Sequence, residues 1–219
     1  MTQRLETTSD GSHTVYSEQF KASYHSTHGS IQESMVVFIE NGLKYIQKST
    51  IDILEIGFGT GLNAALTYDQ HISLQKEINY VGIEKYPISL ELAKSINYKE
   101  YFSNSATNEM LLQMHKEHSY KSTNSIAFES KVLIQDVFDF NIVDSFDLIY
   151  FDAFAPSIQE AFWQAPFLER MFKALRTNGV LTTYCAQGQF KRNLKSVGFQ
   201  VESLPGPKGK REMTRAIKI

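Results

Sequence analysis

The run Glu55-Ile56-Gly57-Phe58-Gly59-Thr60-Gly61 constrains this chain more than any other segment. Ahead of it, Ile51–Ile56 reads as a buried strand, and Gly61–Tyr68 opens a helix behind it. Glycines between a strand and a helix allow a tight turn and let a ligand approach the backbone. The helix amides that follow attract polar and anionic groups. In an open α/β sheet such a turn lies at the carboxyl ends of the strands, near the switch in strand order. Two phosphate loops are excluded. A dinucleotide loop has its third glycine where Leu62 stands, and a triphosphate loop needs Gly-Lys-Ser/Thr, which is absent.

The rest of the chain repeats the strand-then-helix order. Ile78–Glu84, Ala127–Gln135, Phe146–Asp152 and Val180–Tyr184 read as strands, and Phe146–Asp152 is apolar enough for a central parallel position. Helices are predicted over Ile88–Ser95, Met110–His118, Phe162–Leu175 and Phe190–Val197, with Asn178-Gly179 and Gly198 ending the last two. Phe199–Ser203 and Met213–Ile219 read as two final strands joined by Leu204–Glu212. This order predicts a Rossmann-like α/β domain over residues 49–219, with a mostly parallel seven-stranded sheet and an antiparallel edge strand. Residues 1–48 read as an N-terminal extension, a hairpin plus a helix. Its turn signal is Asp10-Gly11, its strands His13–Tyr16 and Gln19–Tyr24, and its helix Ile31–Leu43.

Length and composition narrow the class. The 219 residues are 42% hydrophobic and 21% charged, which suits one folded domain with a small extension. The longest apolar run, near Ile149–Pro156, is too short to span a bilayer. The N-terminus has no apolar core of a secretory signal, and the single cysteine, Cys185, cannot form an internal disulfide. A cytoplasmic site is therefore expected. No Cys/His cluster has zinc spacing, so no metal is expected. The net charge of −2 is unevenly spread. Lys191 to Ile219 holds eight basic and two acidic residues, leaving that segment at +6 and the remainder at −8. Such asymmetry marks either a phosphate-facing patch or a solvated face.

Three carboxylates fall at predicted strand ends: Glu84, Asp136 and Asp152. A carboxylate where Glu84 stands can accept from both ribose hydroxyls, and Asp136 can accept from an adenine amino group. Asp152 closes the apolar strand in Tyr150-Phe151-Asp152-Ala153-Phe154-Ala155-Pro156, where it can hold and orient an amine. Phe154 can supply an aromatic wall there, and Pro156 stiffens the loop. Trp163 reads as a base-stacking residue or a core anchor, Tyr184 as a pocket residue or a buried strand end, and Cys185 as a small buried residue. None of the six histidines is given a role.

The pattern Glu-x-Gly-x-Gly-x-Gly resembles the first motif of class I methyltransferases. More of the chain resembles the methyltransferase domain of the bifunctional tRNA 5-methylaminomethyl-2-thiouridine biosynthesis protein family (MnmC) and its free-standing MnmD-like relatives. The stretches that carry this resemblance are His28–Ser34 with the following Val-Phe-Ile-Glu-Asn-Gly-Leu, Leu54–Asn63 (LEIGFGTGLN), Asp152–Pro156 (DAFAP), Gly179–Gly188 with Lys191-Arg192, and Lys210–Met213 (KREM). The resemblance implies methyl transfer from S-adenosyl-L-methionine to the exocyclic amine of 5-aminomethyl-(2-thio)uridine at the tRNA wobble position. It implies that Glu55, Gly57, Phe58, Gly59, Gly61, Asn63, Glu84, Asp136 and Asp152 bind the cofactor. Asp152 would be the catalytic residue facing the amine, with Phe154 and Tyr184 shaping the acceptor pocket. Lys208, Lys210 and Arg211, in Pro205–Arg211, would meet phosphates of the tRNA anticodon region. A monomer is favoured.

Two departures qualify the resemblance. The family's second, FAD-dependent oxidase domain has no room in 219 residues, so another enzyme is expected to supply the amine. The family's usual Asp-Gly-Phe is Asp-Ala-Phe, and Ser157-Ile158-Gln159-Glu160 replaces a frequent Asn-Pro. Alternative readings are an N-methyltransferase of a small free amine and a non-catalytic module that binds cofactor or RNA.

Overall fold

The computed structural model describes residues 3–219, so the first two residues of the 1–48 extension lie outside the described residues. The extension begins with β1 (Gln3–Thr7) and β2 (His13–Ser17), paired antiparallel from Gln3↔Ser17 to Thr7↔His13. Their turn holds Asp10-Gly11. Asp10 Oδ1 accepts from the Ser12 amide at 3.0 Å, and Gly11 has φ +84°. The expected partner of His13–Tyr16, Gln19–Tyr24, contributes only the two-residue β3 (Ala22–Ser23). Lys21 has φ +50°, which breaks the extended chain there and leaves β1 as the main partner.

Next comes a helix that packs on the main sheet. It opens as α1 (Ser30–Ser34) and continues over Met35–Leu43 with a widened turn, in which the Lys44 amide bonds to the Ile39 carbonyl five residues back. Val37, Phe38, Ile39 and Leu43 are buried, and the Phe38 ring lies 5.1 Å from that of Tyr150.

The main sheet comprises β4 (Thr50–Ile56), β5 (Glu77–Glu84), β6 (Ser119–Lys121), β7 (Phe128–Ile134), β8 (Phe146–Phe151), β9 (Leu175–Thr183), β10 (Phe199–Pro205) and β11 (Glu212–Lys218). Their order is β10-β11-β9-β8-β4-β5-β7-β6. The chain builds outward from β4 through β5 and β7, then returns to the other side of β4 with β8 and β9. The crevice therefore lies beyond the carboxyl end of β4. β8 is buried at all six positions, as its apolar run predicts for a central strand. Helices α2 (Leu62–His71), α3 (Leu90–Ser95) and α4 (Thr107–Glu117) join the extension helix in one apolar layer. Helices α5 (Ala165–Ala174) and α6 (Gly188–Ser196) form the core of the other face.

Four details differ from the sequence expectation. The sheet has eight strands rather than seven, because Ser119–Lys121 adds an antiparallel edge beside β7. At the opposite side, β11 is antiparallel but lies one place in from the edge, between β9 and β10. Asn178-Gly179 does not end a helix. Helix α5 stops at Ala174, and β9 pairs Leu175 with Phe146 and then Val180 with Leu148. The residues between bulge out, with Asn178 at φ +64° and Arg176 bonded to Asp52 at 2.7 Å and Asp147 at 2.9 Å. The helix expected from Phe162 is a short turn over Glu160–Trp163, then α5, separated by extended Gln164. Pro166 is tolerated in the first turn of a helix and not within one, so a new helix starts at Ala165.

Candidate active site

The glycine turn is held by its neighbours on both sides. The amides of Gly57 and Phe58 both donate to the Ile83 carbonyl at 3.1 Å, tying the turn to β5. A Cβ on Gly57 would meet the Asp152 carbonyl oxygen at 2.8 Å, and one on Gly59 would meet the Tyr24 ring at 2.7 Å. The two glycines thus admit close approach of the protein's own strand β8 and N-terminal extension. The Gly59 amide donates to Glu84 Oε2 at 2.9 Å, and the Tyr86 amide donates to Oε1 at 2.7 Å.

A cavity of about 250 Å³ opens where β4, β5, β7 and β8 end. Of the sequence-predicted residues, Gly57, Gly59, Glu84, Asp136, Asp152 and Phe154 line it. Phe20 and Tyr24, from the extension, line it as well, with ring centres 4.7 and 5.1 Å from that of Phe154. Burial raises the Glu84 carboxyl despite the backbone amides that favour its ionised form. Asp136 behaves oppositely. Its hydrogen bond from Lys85, 2.7 Å away, and the Phe138 amide at 3.0 Å hold its carboxyl below the ordinary range.

Four predicted cofactor residues lie behind the cavity rather than in its wall. Glu55 is fully buried. Its Oε1 accepts from Asn63 Nδ2 and its Oε2 from the Tyr80 hydroxyl, each at 2.8 Å. Phe58 packs beneath the turn against Gly82 and Gly61, and Gly61 precedes α2 with φ +73°. Asn63 Nδ2 donates to Asp152 Oδ2 as well, also at 2.8 Å, so one amide separates two carboxylates. Strand-first packing explains these positions. Alternate residues of β4 and the first turn of α2 must face the core, so only part of a ten-residue motif can face a ligand.

Asp152 stands just past β8, its amide bonded to the Ile56 carbonyl at 3.0 Å. Burial raises its carboxyl to about 7, the Asn63 hydrogen bond opposes the rise, nearby Glu33 adds to it and Lys210 opposes it. Burial also pushes Glu55 well up, with Asp152 as the next cause. The loop after Asp152 is pinned at several points. Gln159 accepts from the Phe154 amide at 2.8 Å, and Trp163 Nε1 donates to the Phe154 carbonyl at 2.9 Å. Trp163 is 2% exposed and packs on Phe151 and Phe190, so it is the core anchor rather than a stacking platform. Cys185 is buried.

The far side of Asp152 is built from residues widely separated in sequence. The Tyr184 hydroxyl donates to the Ala153 carbonyl at 2.8 Å, and its ring centre lies 3.9 Å from Lys210 Nζ. Neither Tyr184 nor the three predicted phosphate contacts line the cavity. Lys208 and Arg211 are exposed, whereas Lys210 turns inward to the buried carboxylate of Glu33. Of the eight basic residues of the C-terminal segment, Lys191, Lys210, Arg215 and Lys218 are ion-paired within the protein. Phe20 and Tyr24 of the cavity wall, and Glu33 beside Lys210, were not singled out from the sequence. Glu33 lies within His28–Ser34, a stretch that carried the family resemblance without a role for any of its residues.

The donor set fits S-adenosyl-L-methionine. The cavity has a glycine turn after β4, one carboxylate at the end of the neighbouring β5 and another after β7, with the rings of Phe20, Tyr24 and Phe154 beside them. Among the described residues, no group of three or more His, Cys, Asp or Glu side chains is placed to hold a metal ion, and no helix is long and apolar enough to cross a membrane.

The chain is 28% identical over 228 residues to the tRNA 5-methylaminomethyl-2-thiouridine biosynthesis bifunctional protein MnmC of Pseudoalteromonas atlantica, covering 93% of this chain and 32% of that protein. The protein of the same name from Leptospira interrogans is 28% identical over 222 residues, covering 91% and 33%. The chain thus spans about a third of the length of these curated relatives. Its fold matches the crystal structure of MnmC2 from Aquifex aeolicus with a TM-score of 0.77 at 24% identity, over 98% of this chain and 70% of that one. Spermidine synthase from Thermotoga maritima matches with a TM-score of 0.61 at 12% identity, over 100% and 80%. Both likenesses concern the fold. Residues 97–219, more than half of the chain and including Asp136, Asp152 and the loop to Met213, match a family described as S-adenosyl-L-methionine-dependent methyltransferase, and the chain belongs to that family.

Proposed function

We propose that this protein methylates the exocyclic amine of 5-aminomethyl-(2-thio)uridine at the wobble position of tRNA, giving 5-methylaminomethyl-(2-thio)uridine. The observation that carries this reading is the position of Asp152. It is a partly buried carboxylate at the junction of the cofactor cavity and the Glu33–Tyr184–Lys210 cluster. The names of the relatives supply the substrate class.

Bound S-adenosyl-L-methionine would supply a methyl group to the amine lone pair, leaving as S-adenosylhomocysteine with the carbon–sulfur bonding pair, and one proton would pass from the nitrogen to solvent. The protein's own residues then have three tasks. Glu84, held by its two backbone amides, would accept from the ribose hydroxyls through its remaining lone pairs. Asp136 offers an acceptor to the adenine edge, although its Lys85 pair competes. Asp152 accepts from the acceptor amine and turns its lone pair toward the methyl carbon. Alignment of this kind supplies much of the acceleration of a displacement. A carboxyl raised to about 7 becomes an acceptor as the pH rises through neutrality. Exposed Lys208 and Arg211, with Arg192 and Lys195 on α6, form the phosphate-facing side, and the compartment is the cytoplasm, where tRNA is modified. Phe20 and Tyr24 of the extension flank the cofactor cavity.

The test is methylation of tRNA from cells that make the aminomethyl nucleoside but cannot methylate it, followed by nucleoside mass analysis. One added methyl on the wobble nucleoside is expected. Binding of S-adenosylhomocysteine without methylation of that tRNA, but with methylation of a free amine, would replace the tRNA reading.

A further inference from the structure

The three cations of the C-terminal loop do not share one environment. Lys208 and Arg211 face solvent. The Lys210 ammonium is bound to Glu33 and lies over the Tyr184 ring. Glu33 is itself fixed, since its Oε1 accepts from the Ser26 amide at 3.2 Å and its side chain is buried. Tyr184 is tied in turn to the carbonyl next to Asp152. A cation and a carboxylate, 177 residues apart in sequence, are thereby held beside the acceptor side of Asp152.

The groups facing this region come from every surrounding element. Glu33 comes from α1, Lys210 from the loop before β11 and Tyr184 from the end of β9. Tyr98 comes from the segment after α3, and Glu55 and Tyr80 stand behind Asn63. His25, which burial and Lys210 hold neutral with a value near 4, and the Cys185 thiol, which burial raises against a backbone hydrogen bond and Lys210, also face it.

We propose that Lys210, anchored by Glu33, is a positioning residue of the methyl-transfer site, a fixed positive charge set against Asp152 and the acceptor nitrogen, and not a phosphate contact. The inference rests on the reading of Asp152 as the amine-facing carboxylate. A fixed cation there favours the ionised form of Asp152 and disfavours protonation of an incoming amine. Both effects enlarge the fraction of enzyme and substrate in the reactive protonation state. Glu33 acts in the opposite direction on Asp152 and at the same time holds the ammonium in place. The pair is therefore a balance, and its two halves can be removed separately.

The experiment is the pH dependence of kcat/KM for methyl transfer to the aminomethyl tRNA. Lys210→Met should move the acid limb up by on the order of half a pH unit or more and lower the rate near neutrality several-fold. Glu33→Gln should move the limb down, and the double variant should return it toward the wild-type position. Lys210→Arg, which keeps the charge, should keep the limb. The salt dependence of KM for tRNA should be unchanged in Lys210→Met and reduced in the Lys208→Ala, Arg211→Ala double variant. S-adenosylhomocysteine binding checks that each variant is folded. Methylation that persists with an unmoved limb in every variant overturns this inference alone, as does a reduced salt dependence in Lys210→Met. Absence of tRNA methylation by the wild-type protein overturns the proposed function first.

Discussion

The two sides of the crevice are built in different ways. The side proposed to hold the cofactor takes its groups from successive strand ends. The glycine turn follows β4, Glu84 ends β5, and Asp136 stands just past β7. Each group sits within a residue or two of an apolar run that fixes its place. The side proposed to face the acceptor joins Glu33 of the extension, Asp152, Tyr184 and Lys210, which no local pattern brings together. The contrast shows that a site set by strand order can be read from local patterns, whereas a site set by tertiary closure cannot.

Four measurements sharpen or break this contrast. The largest effect is expected from Asp152→Ala, which should lower kcat/KM by about 10²–10⁴-fold in turnover assays while calorimetry still detects S-adenosylhomocysteine. Loss of cofactor binding to the same degree would make the division into two sides wrong. Second, Glu84→Ala removes a carboxylate able to make charge-assisted hydrogen bonds worth about 1.5–3 kcal/mol each. The dissociation constant for S-adenosylhomocysteine should rise by at least about tenfold, with the KM for tRNA little changed. A change confined to the tRNA term would place Glu84 on the other side.

Third, replacing Lys208 and Arg211 with alanine should raise the KM for tRNA only a few-fold and flatten its log–log salt slope by about 1.4, the value for two contacts to a single-stranded segment. An unaltered slope would move the RNA to another surface. The smallest effect is thermal. The folded Asp152 carboxyl is raised from 3.8 to about 7, so the folded state holds its proton longer than the unfolded state. Its contribution to stability is therefore present at acid pH and lost as pH rises through about 7. Asp152→Asn should raise Tm at pH 8 by about 2–4 °C for each kcal/mol relieved, and by less toward pH 4. An equal gain at both pH values would assign the effect to packing.

Much of the fold was legible because burial imposes period and length. Phe146–Phe151 could only be a central strand, and the limits of β4, β5 and β7 fall within one residue of the apolar runs that announce them. Ser119–Lys121 was not legible, since three residues with one half-buried tyrosine have no pattern of their own and become a strand only by pairing with β7. Asn178-Gly179 has the composition of a helix stop and serves as a bulge, because its neighbour Arg176 finds Asp52 and Asp147 there. Within the site, Glu84, Asp136 and Asp152 could be placed from strand ends alone. Glu55 and Asn63 share a motif with the cavity-lining glycines, yet one turn of helix or one strand residue directs them inward. Lys210 shares a basic stretch with Lys208 and Arg211, and only the approach of Glu33 tells it apart.

The reversed direction of β11 has a consequence for how the protein matures. Because β11 runs against β9, the chain between β10 and β11 turns at the same end of the sheet as the crevice, and Lys210 arrives there from the penultimate strand. A nascent polypeptide emerging from the ribosome can order its glycine turn early, but its acceptor wall waits for residues near 210 to be synthesised and folded back. A chain cut short before that point would lose both Lys210 and β11, the strand that joins β10 to β9, so the last hairpin closes the sheet and the far side of Asp152 in one step.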